Sequence, residues 1–477
     1  HYVAEDPDQL ATAILSAVMD IISQTNSFTA PVVPVTRTTS GNRIYMAFFK
    51  PGESNFWEGN LTKFALSPNL EIIDKNGADA TWPNGAIRNE ALPYWQTKDW
   101  ATFGKSNYIH HADRTISTYM GGTATHLLDS ENSFSAANPS LTATVLGNPL
   151  HTTAQIIDYI RGADVFDEDG DGSSSENRAI ITGDILHSEP LVFRYNYPDG
   201  SAKSYVFYGS NDGMLHAVYD ESMAANSTSA VHYGTEAWAF IPPDLLPRLK
   251  EVIEGSSHAY YVDASPKVYF KDLDQNGLLD PGDRVVLVCG ERKGGSSYFA
   301  LDITDPANPN FLWRIDAGST GPVAPNVVIP ELGQSWSEPQ FGVVKTSDVD
   351  TVGTPVFFIG GGFSADNSSG RAVLAIDIFS GAVVRVFKND GTLLGMNYAV
   401  PSSVALFDAN DNGFVDKVYV GDLGGQLWRI GKFTTSANVP LSFPDCDENL
   451  MNWEARMIFS ADSTFPRKFF YPPALTL

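Results

Sequence analysis

Three short runs carry side chains whose type and spacing could do chemistry, and the chemistry is that of a hard cation. In DANDNGFVD, Asp408, Asn410 and Asn412 stand at positions 1, 3 and 5, Gly413 at 6 and Asp416 at 9, with the Phe414 carbonyl available between them. In DLDQNGLLDPGD the same grammar gives Asp272, Asp274, Asn276, Gly277, the Leu278 carbonyl, Asp280 and a closing Asp283. In DEDGDGSSSE it gives Asp167, Asp169, Asp171 and Gly172, followed by Ser173, Ser175 and Glu176, with Asp164 close by. Calcium takes about six to eight oxygens at roughly 2.3 to 2.6 Å, and alternating oxygen donors with glycine at position 6 let a short chain wrap round it. Asp, Asn and Gly are also ordinary turn formers. One such loop reads as a turn; three with one grammar point to calcium. None is flanked by two helices, so helix-loop-helix sensors are not expected.

The other chemistry-bearing residues are less organised. His110, His111 and Asp113 could hold a transition metal, but on a strand the two rings would point to opposite faces. His187 and His216 lie at strand positions and read as structural, and Trp57, Trp238, Trp313 and Trp428 read as core. The chain has no G-x-S-x-G, H-E-x-x-H, Walker A or dinucleotide fingerprint, so no nucleophile or base is named and a non-enzyme is expected.

The elements that must position these loops are β-strands. The chain has 477 residues, 40 Gly, 29 Pro and 12% aromatics, too long for one ordinary core and rich in turn formers. Acidic residues number 56 against 31 basic, a net charge of -25 that repels nucleic acid and anionic membrane. Cys289 and Cys446 belong to no metal-spacing motif, and no stretch approaches the ~20 apolar residues of a membrane span. The chain begins with His1 and no signal sequence, which reads as a processed or trimmed piece of something longer.

Residues 6–23 carry a helical pattern, with Asp6 as N-cap and Leu10, Ile14, Val18 and Ile21 on one face. RIYMAFF and WEGNLTKFALS read as paired strands turning near Gly59 and Asn60. Residues 114–128 read as a strand with a glycine turn, and residues 129–150 as a surface loop. Residues 70–105 give no pattern. From residue 180 a repeat emerges: a proline opens an apolar strand at Pro190, Pro266, Pro339, Pro401 and Pro473, at intervals of 62 to 76 residues. A strand, a glycine turn and another strand follow in each unit. In the fourth unit Val418, Val420 and Leu427 are expected on the apolar face, round a turn at Leu423, Gly424 and Gly425. This predicts an all-β fold, a modified quinoprotein-like β-propeller with an N-terminal helix and irregular insertions. Its parts would be residues 1–40 (helix and linker), 41–180 (strands and insertions contributing blades) and 181–477 (the repeated region, ending within a blade).

HYVAEDPDQLATAI, WEGNLTKFAL, IDYIRG, GDILHSEPLV, YGSNDGMLHA and DANDNGFVDKVYVGDLGGQLWRI together resemble the PilY family of type IV pilus biogenesis and tip-associated adhesin proteins. The resemblance implies a propeller whose calcium loop at Asp408, Asn410, Asn412, Phe414 and Asp416 influences pilus extension against retraction, twitching motility and attachment. It also implies a place at the pilus tip or outer cell surface, minor pilins as partners, and host or abiotic surfaces as targets. Some members carry an RGD tripeptide linked to integrin binding; this chain reads Arg161, Gly162, Ala163, Asp164, so that property is not carried over. Two other readings remain: a pyrroloquinoline quinone dehydrogenase, weakened by the lack of an adjacent cysteine pair, and a purely structural calcium-stabilised propeller.

Overall fold

A computed structural model of the chain describes residues 27–28, 42–52, 55–83, 85–101, 105, 108–223, 233–318, 321–389, 391, 395–433, 447–461 and 467–475. The helical pattern at residues 6–23 and Cys446 lie outside these. Five mainly antiparallel sheets follow one another along the chain. The first holds Ser27–Phe28 (β1), Arg43–Lys50 (β2), Glu58–Leu66 (β3), Ile72–Ile73 (β4) and Trp95–Gln96 (β5). The second is the meander Leu191–Asn196 (β7), Ala202–Gly209 (β8), Leu215–Met223 (β9) and Glu236–Ile241 (β10), with Ile116–Thr118 (β6) added parallel at its edge. The third runs Lys267–Lys271 (β11), Arg284–Gly290 (β12), Tyr298–Asp302 (β13) and Asn310–Asp316 (β14), with a short parallel Val327–Val328 (β15). The fourth is Gln340–Val344 (β16), Thr354–Gly360 (β17), Ala372–Asp377 (β18) and Val383–Lys388 (β19). The fifth is Ala405–Phe407 (β20), Lys417–Gly421 (β21), Gln426–Gly431 (β22) and Glu454–Ser460 (β23).

These sheets stack face to face in chain order, as propeller blades do. The reason is written in the central strands. Along β12, Val285, Leu287 and Cys289 pack on the second sheet, and Val286 and Val288 pack on the fourth. Along β17, Phe357 and Ile359 face the third sheet while Val356 and Phe358 face the fifth. A strand buried on both faces must be apolar at every position, which accounts for runs such as RVVLVCG and TPVFFIG. The strand, glycine turn, strand units of the repeat are the middle two strands of the last four sheets.

Four local expectations are corrected. Gly59 and Asn60 lie inside β3, paired with Phe49 and Phe48, so they are not a turn. Glycine is required at 59 for a different reason: its N–H bonds Thr182 O at 2.9 Å, and a Cβ there would sit 1.9 Å from Gly183 O. Only Ile116–Thr118 of residues 114–128 is strand, and it pairs with β10 rather than with a hairpin partner. Residues 129–150 are irregular but not superficial, since Phe134, Leu141 and Leu146 are buried in the core between the second and third sheets. In the fifth sheet Leu427 pairs with Gly421, whereas Trp428 and Ile430 share the core with Val420 and Val418. The turn there does use positive φ, at Gly425 (φ 77°).

Candidate metal centre

The three acidic loops share one backbone. In each, the glycine N–H at position 6 donates to the carboxylate at position 1: Gly172 to Asp167 at 3.1 Å, Gly277 to Asp272 at 2.7 Å, Gly413 to Asp408 at 2.7 Å. In each, the N–H at position 7 donates to the side chain at position 5: Ser173 to Asp171, Leu278 to Asn276, Phe414 to Asn412. Positions 4 and 6 both take left-handed φ, at Gly170 and Gly172, Gln275 and Gly277, Asp411 and Gly413. Such a turn directs successive side-chain oxygens inward while the backbone N–H groups point at their outer edges. These bonds also hold the carboxyl of Asp272 below the usual range, with the Gly277 N–H the largest cause.

The loops differ in what surrounds them. The first closes on itself through an Ala163–Asn177 bridge, after the helix Thr153–Arg161 (α1) ends at Gly162 in the left-handed region. Here carboxylates converge: oxygens of Asp164, Asp169 and Glu176, and of Asp167, Asp169 and Asp171, lie within 4.8 Å of one another. Glu176 Oε1 is buried with no hydrogen-bond partner among the described residues. Like charges at this spacing repel unless a proton or cation offsets them, so the donor set fits a hard cation. Ser175 contributes its carbonyl elsewhere, to His110 Nε2 and His111 Nε2, each at 3.0 Å. The histidine rings are 4.2 Å apart, not on opposite faces, because His111–Asp113 is a 3-10 turn rather than a strand. Among the described residues neither ring joins a group of three metal-capable side chains.

The second and third loops occupy one topological position, the connection from first to second strand of their sheets. In the second, Asn276 Nδ2 bridges Asp274 at 2.9 Å and Asp280 at 2.7 Å, while Asp283 caps Leu273 N at 2.9 Å and Asp280 N at 2.7 Å. The Asn276 amide N–H groups thus stand between the two acids, while its oxygen accepts Leu278 N at 2.6 Å. In the third, Asp416 is 1% exposed and accepts Ala409 N at 2.6 Å. Asn410 and Asn412 donate to Glu448 Oε1 at 3.3 and 2.9 Å. Burial would raise the Glu448 carboxyl, but the Asn412 amide and Lys345 hold it below its usual range.

Glu448 was missed by sequence reasoning, since it lies 38 residues from Asn410 and no spacing rule links the two. It ties the third loop to the fourth sheet. Lys345 Nζ lies 3.1 Å from its carboxylate and 4.7 Å from the Phe414 ring centre, and Lys345 N donates to Glu448 O at 2.9 Å. Val415 N donates to Val343 O at 2.9 Å. An ion in this loop would therefore bear on the seam between the fourth and fifth sheets.

Comparison with known proteins places these features. The family described as the PilY1 beta-propeller domain matches residues 194–467. The type IV pilus biogenesis factor PilY1 of Pseudomonas aeruginosa (strain PAK) is 30% identical over 307 residues, 59% of this chain and 23% of that protein. A type IV pilus biogenesis factor PilY1 homolog of Xylella fastidiosa (strain Temecula1) is 28% identical over 461 residues, 92% of this chain and 31% of that protein. The chain thus spans about a quarter to a third of these relatives' length. A crystal structure of the P. aeruginosa PilY1 C-terminal domain aligns at 29% identity and a TM-score of 0.40, covering 57% of this chain and 50% of that one. The matched span holds the second and third acidic loops and leaves the first outside. Covering more than half of the chain, with most of the second sheet and all of the third, fourth and fifth inside it, the match shows that the chain belongs to the PilY1 family through its β-propeller domain.

Proposed function

We propose that this chain is the calcium-binding propeller part of a non-enzymatic type IV pilus biogenesis and adhesion factor, working at the outer cell surface or pilus tip with minor pilins. The pilus role rests on the names of its relatives. The calcium role rests on the backbone common to the three loops, above all on the third, where one ion would be coupled to a seam between sheets. The residues that would hold calcium are Asp408, Asn410, Asn412, Phe414 O and Asp416 in the third loop, and Asp272, Asp274, Asn276, Leu278 O, Asp280 and Asp283 in the second. In the first they are Asp167, Asp169, Asp171, Ser173, Ser175 through its hydroxyl and Glu176, with Asp164 beside them.

In mechanism, the protein supplies oxygens and a pre-formed turn, and the ion supplies the charge that lets the acids stay together. Fixing the third loop fixes Phe414 and Val415 against the fourth sheet, so calcium sets the order of a surface rather than of a reaction centre. That surface is what pilins or a substratum would meet, and its order is what would bias extension against retraction and hence twitching. Calorimetric titration of chelator-stripped protein tests the binding: two or three ions in the wild type and one fewer in each of Asp408→Ala, Asp272→Ala and Asp167→Ala. Wild-type binding by Asp408→Ala would sink the reading of the third loop. Unchanged motility in cells carrying Asp408→Ala in the full-length protein would reduce that calcium to a structural role.

A further inference from the structure

The first sheet turns one face to the second, through Tyr45, Ala47 and Leu61. By alternation Phe48, Lys50, Asn60 and Thr62 point the other way. There they line a cleft of 190 Å³, walled by the segment from Ile87 to Pro93 and by Lys98. The cleft lies outside the span matched by the family and apart from the acidic loops.

Its charge runs against the molecule. Lys50, Arg88 and Lys98 line it with a single acid, Glu58, in a chain whose net charge is -25. Lys50 has no ion pair among the described residues, although Glu58 is its cross-strand neighbour. Arg88 is oriented by Thr81 O at 2.9 Å and by the Trp82 ring at 4.2 Å, and its nearest carboxylate, Glu90, is 3.8 Å away at the surface. The floor is polar and ordered before any ligand arrives: Asn60 Nδ2 donates to Thr62 Oγ1 at 3.0 Å and to Gln96 Oε1 at 3.3 Å, and Asn60 Oδ1 accepts Lys98 N at 3.1 Å. Phe48 adds a half-buried aromatic ring.

We propose that this cleft binds a single carboxylated sugar ring. Pockets for drug-sized ligands start near ~300 Å³, so 190 Å³ suits one ring rather than an extended chain. Arg88 and Lys50 take the carboxylate, the Phe48 ring takes a C–H face, and Thr62, Gln96 and Asn89 take hydroxyls. Glu58 sets the selectivity, because it accepts hydrogen bonds donated by hydroxyls and repels a doubly charged anion such as phosphate more than a singly charged one.

Ligand-observed NMR and calorimetry on the chain as it stands, with glucuronate and galacturonate as probes against glucose, galactose and inorganic phosphate, test this. Saturable uronate binding is expected, with the neutral sugars about tenfold weaker and phosphate no better than they are. Arg88→Gln and Lys50→Gln, both away from the core, should each lower uronate affinity about tenfold, the size of one lost charge-assisted contact. Neutral sugars binding as well as uronates, phosphate binding better, no saturable uronate binding, or affinities unchanged in both variants would each overturn the proposal.

Discussion

His216 has no exposed surface, and both ring nitrogens face acids: Nδ1 lies 2.8 Å from Glu236 and Nε2 3.1 Å from Asp212. Ser210 Oγ is 3.1 Å from the same Nε2, and Arg114 grips Glu236 at 2.7 and 2.8 Å. Burial alone would lower this histidine, but Asp212 and Glu236 raise it to about 9 from 6.5. A raised folded value means that the charged ring's contribution is full below pH 6.5 and is lost as pH rises through about 9. A shift of that size corresponds to at most about 3 kcal/mol, so the melting temperature should fall across this window. His216→Asn should be less stable at neutral pH and should flatten the slope; a wild-type profile level to pH 10 would show the ring to be neutral. Glu448 gives a second prediction. Glu448→Gln should weaken calcium at the third loop about tenfold, as loss of an outer-shell partner does, and leave the second loop unchanged in calorimetry. His216 was readable from its strand position as structural, but the network round it was not, because Arg114 reaches Glu236 from 122 residues away.

Strands pair locally, and beside the apolar faces a buried polar contact ties the first sheet to the second. Asp220, in β9, accepts three donors from the first sheet: Tyr45 Oη at 2.6 Å, Lys63 Nζ at 2.6 Å and Trp95 Nε1 at 3.0 Å. Removing one partner of a buried ion pair typically costs about 3–5 kcal/mol. Asp220→Ala should accordingly expose β2 and β3 to hydrogen exchange while β17 and β18 stay protected. Uniform loss of protection would mean that the sheets unfold as one unit. At this scale the sequence reported the apolar strands well, and their facing and their turns poorly. Gly59 looks like a turn residue but serves a close backbone approach. Residues 129–150 are rich in Ser, Asn and Thr and read as a surface loop, yet Phe134, Leu141 and Leu146 find the core without periodic structure.

Across the whole molecule the sheets are held by aromatic and aliphatic faces in series. Trp313 stands between the third and fourth sheets, parallel to Phe357 at 5.6 Å, and its Nε1 donates to Ile378 O at 2.9 Å. Trp313→Ala should cost about 3–5 kcal/mol, read as a lower urea midpoint. The net charge of -25 sets the other term. Chelating calcium should lower the melting temperature more at low than at high ionic strength, since salt screens the exposed acids left facing one another. Equal loss at both salt concentrations would argue against electrostatic relief.

The sequence by itself determined the β class, the proline-led repeat and the grammar of three acidic loops. These are local: alternation, turn residues and ligand spacing act within about a dozen neighbouring residues. Only the tertiary structure decided that Glu448 meets the third loop, that carboxylates converge in the first, that His110 and His111 lie side by side, and that a cationic cleft opens on the first sheet. Two of these, the Glu448 contact and the cleft, join separate segments, and what joins them is the burial of apolar faces, which fixes distances that no spacing along the chain encodes; the other two follow from local turns that alternation rules do not describe.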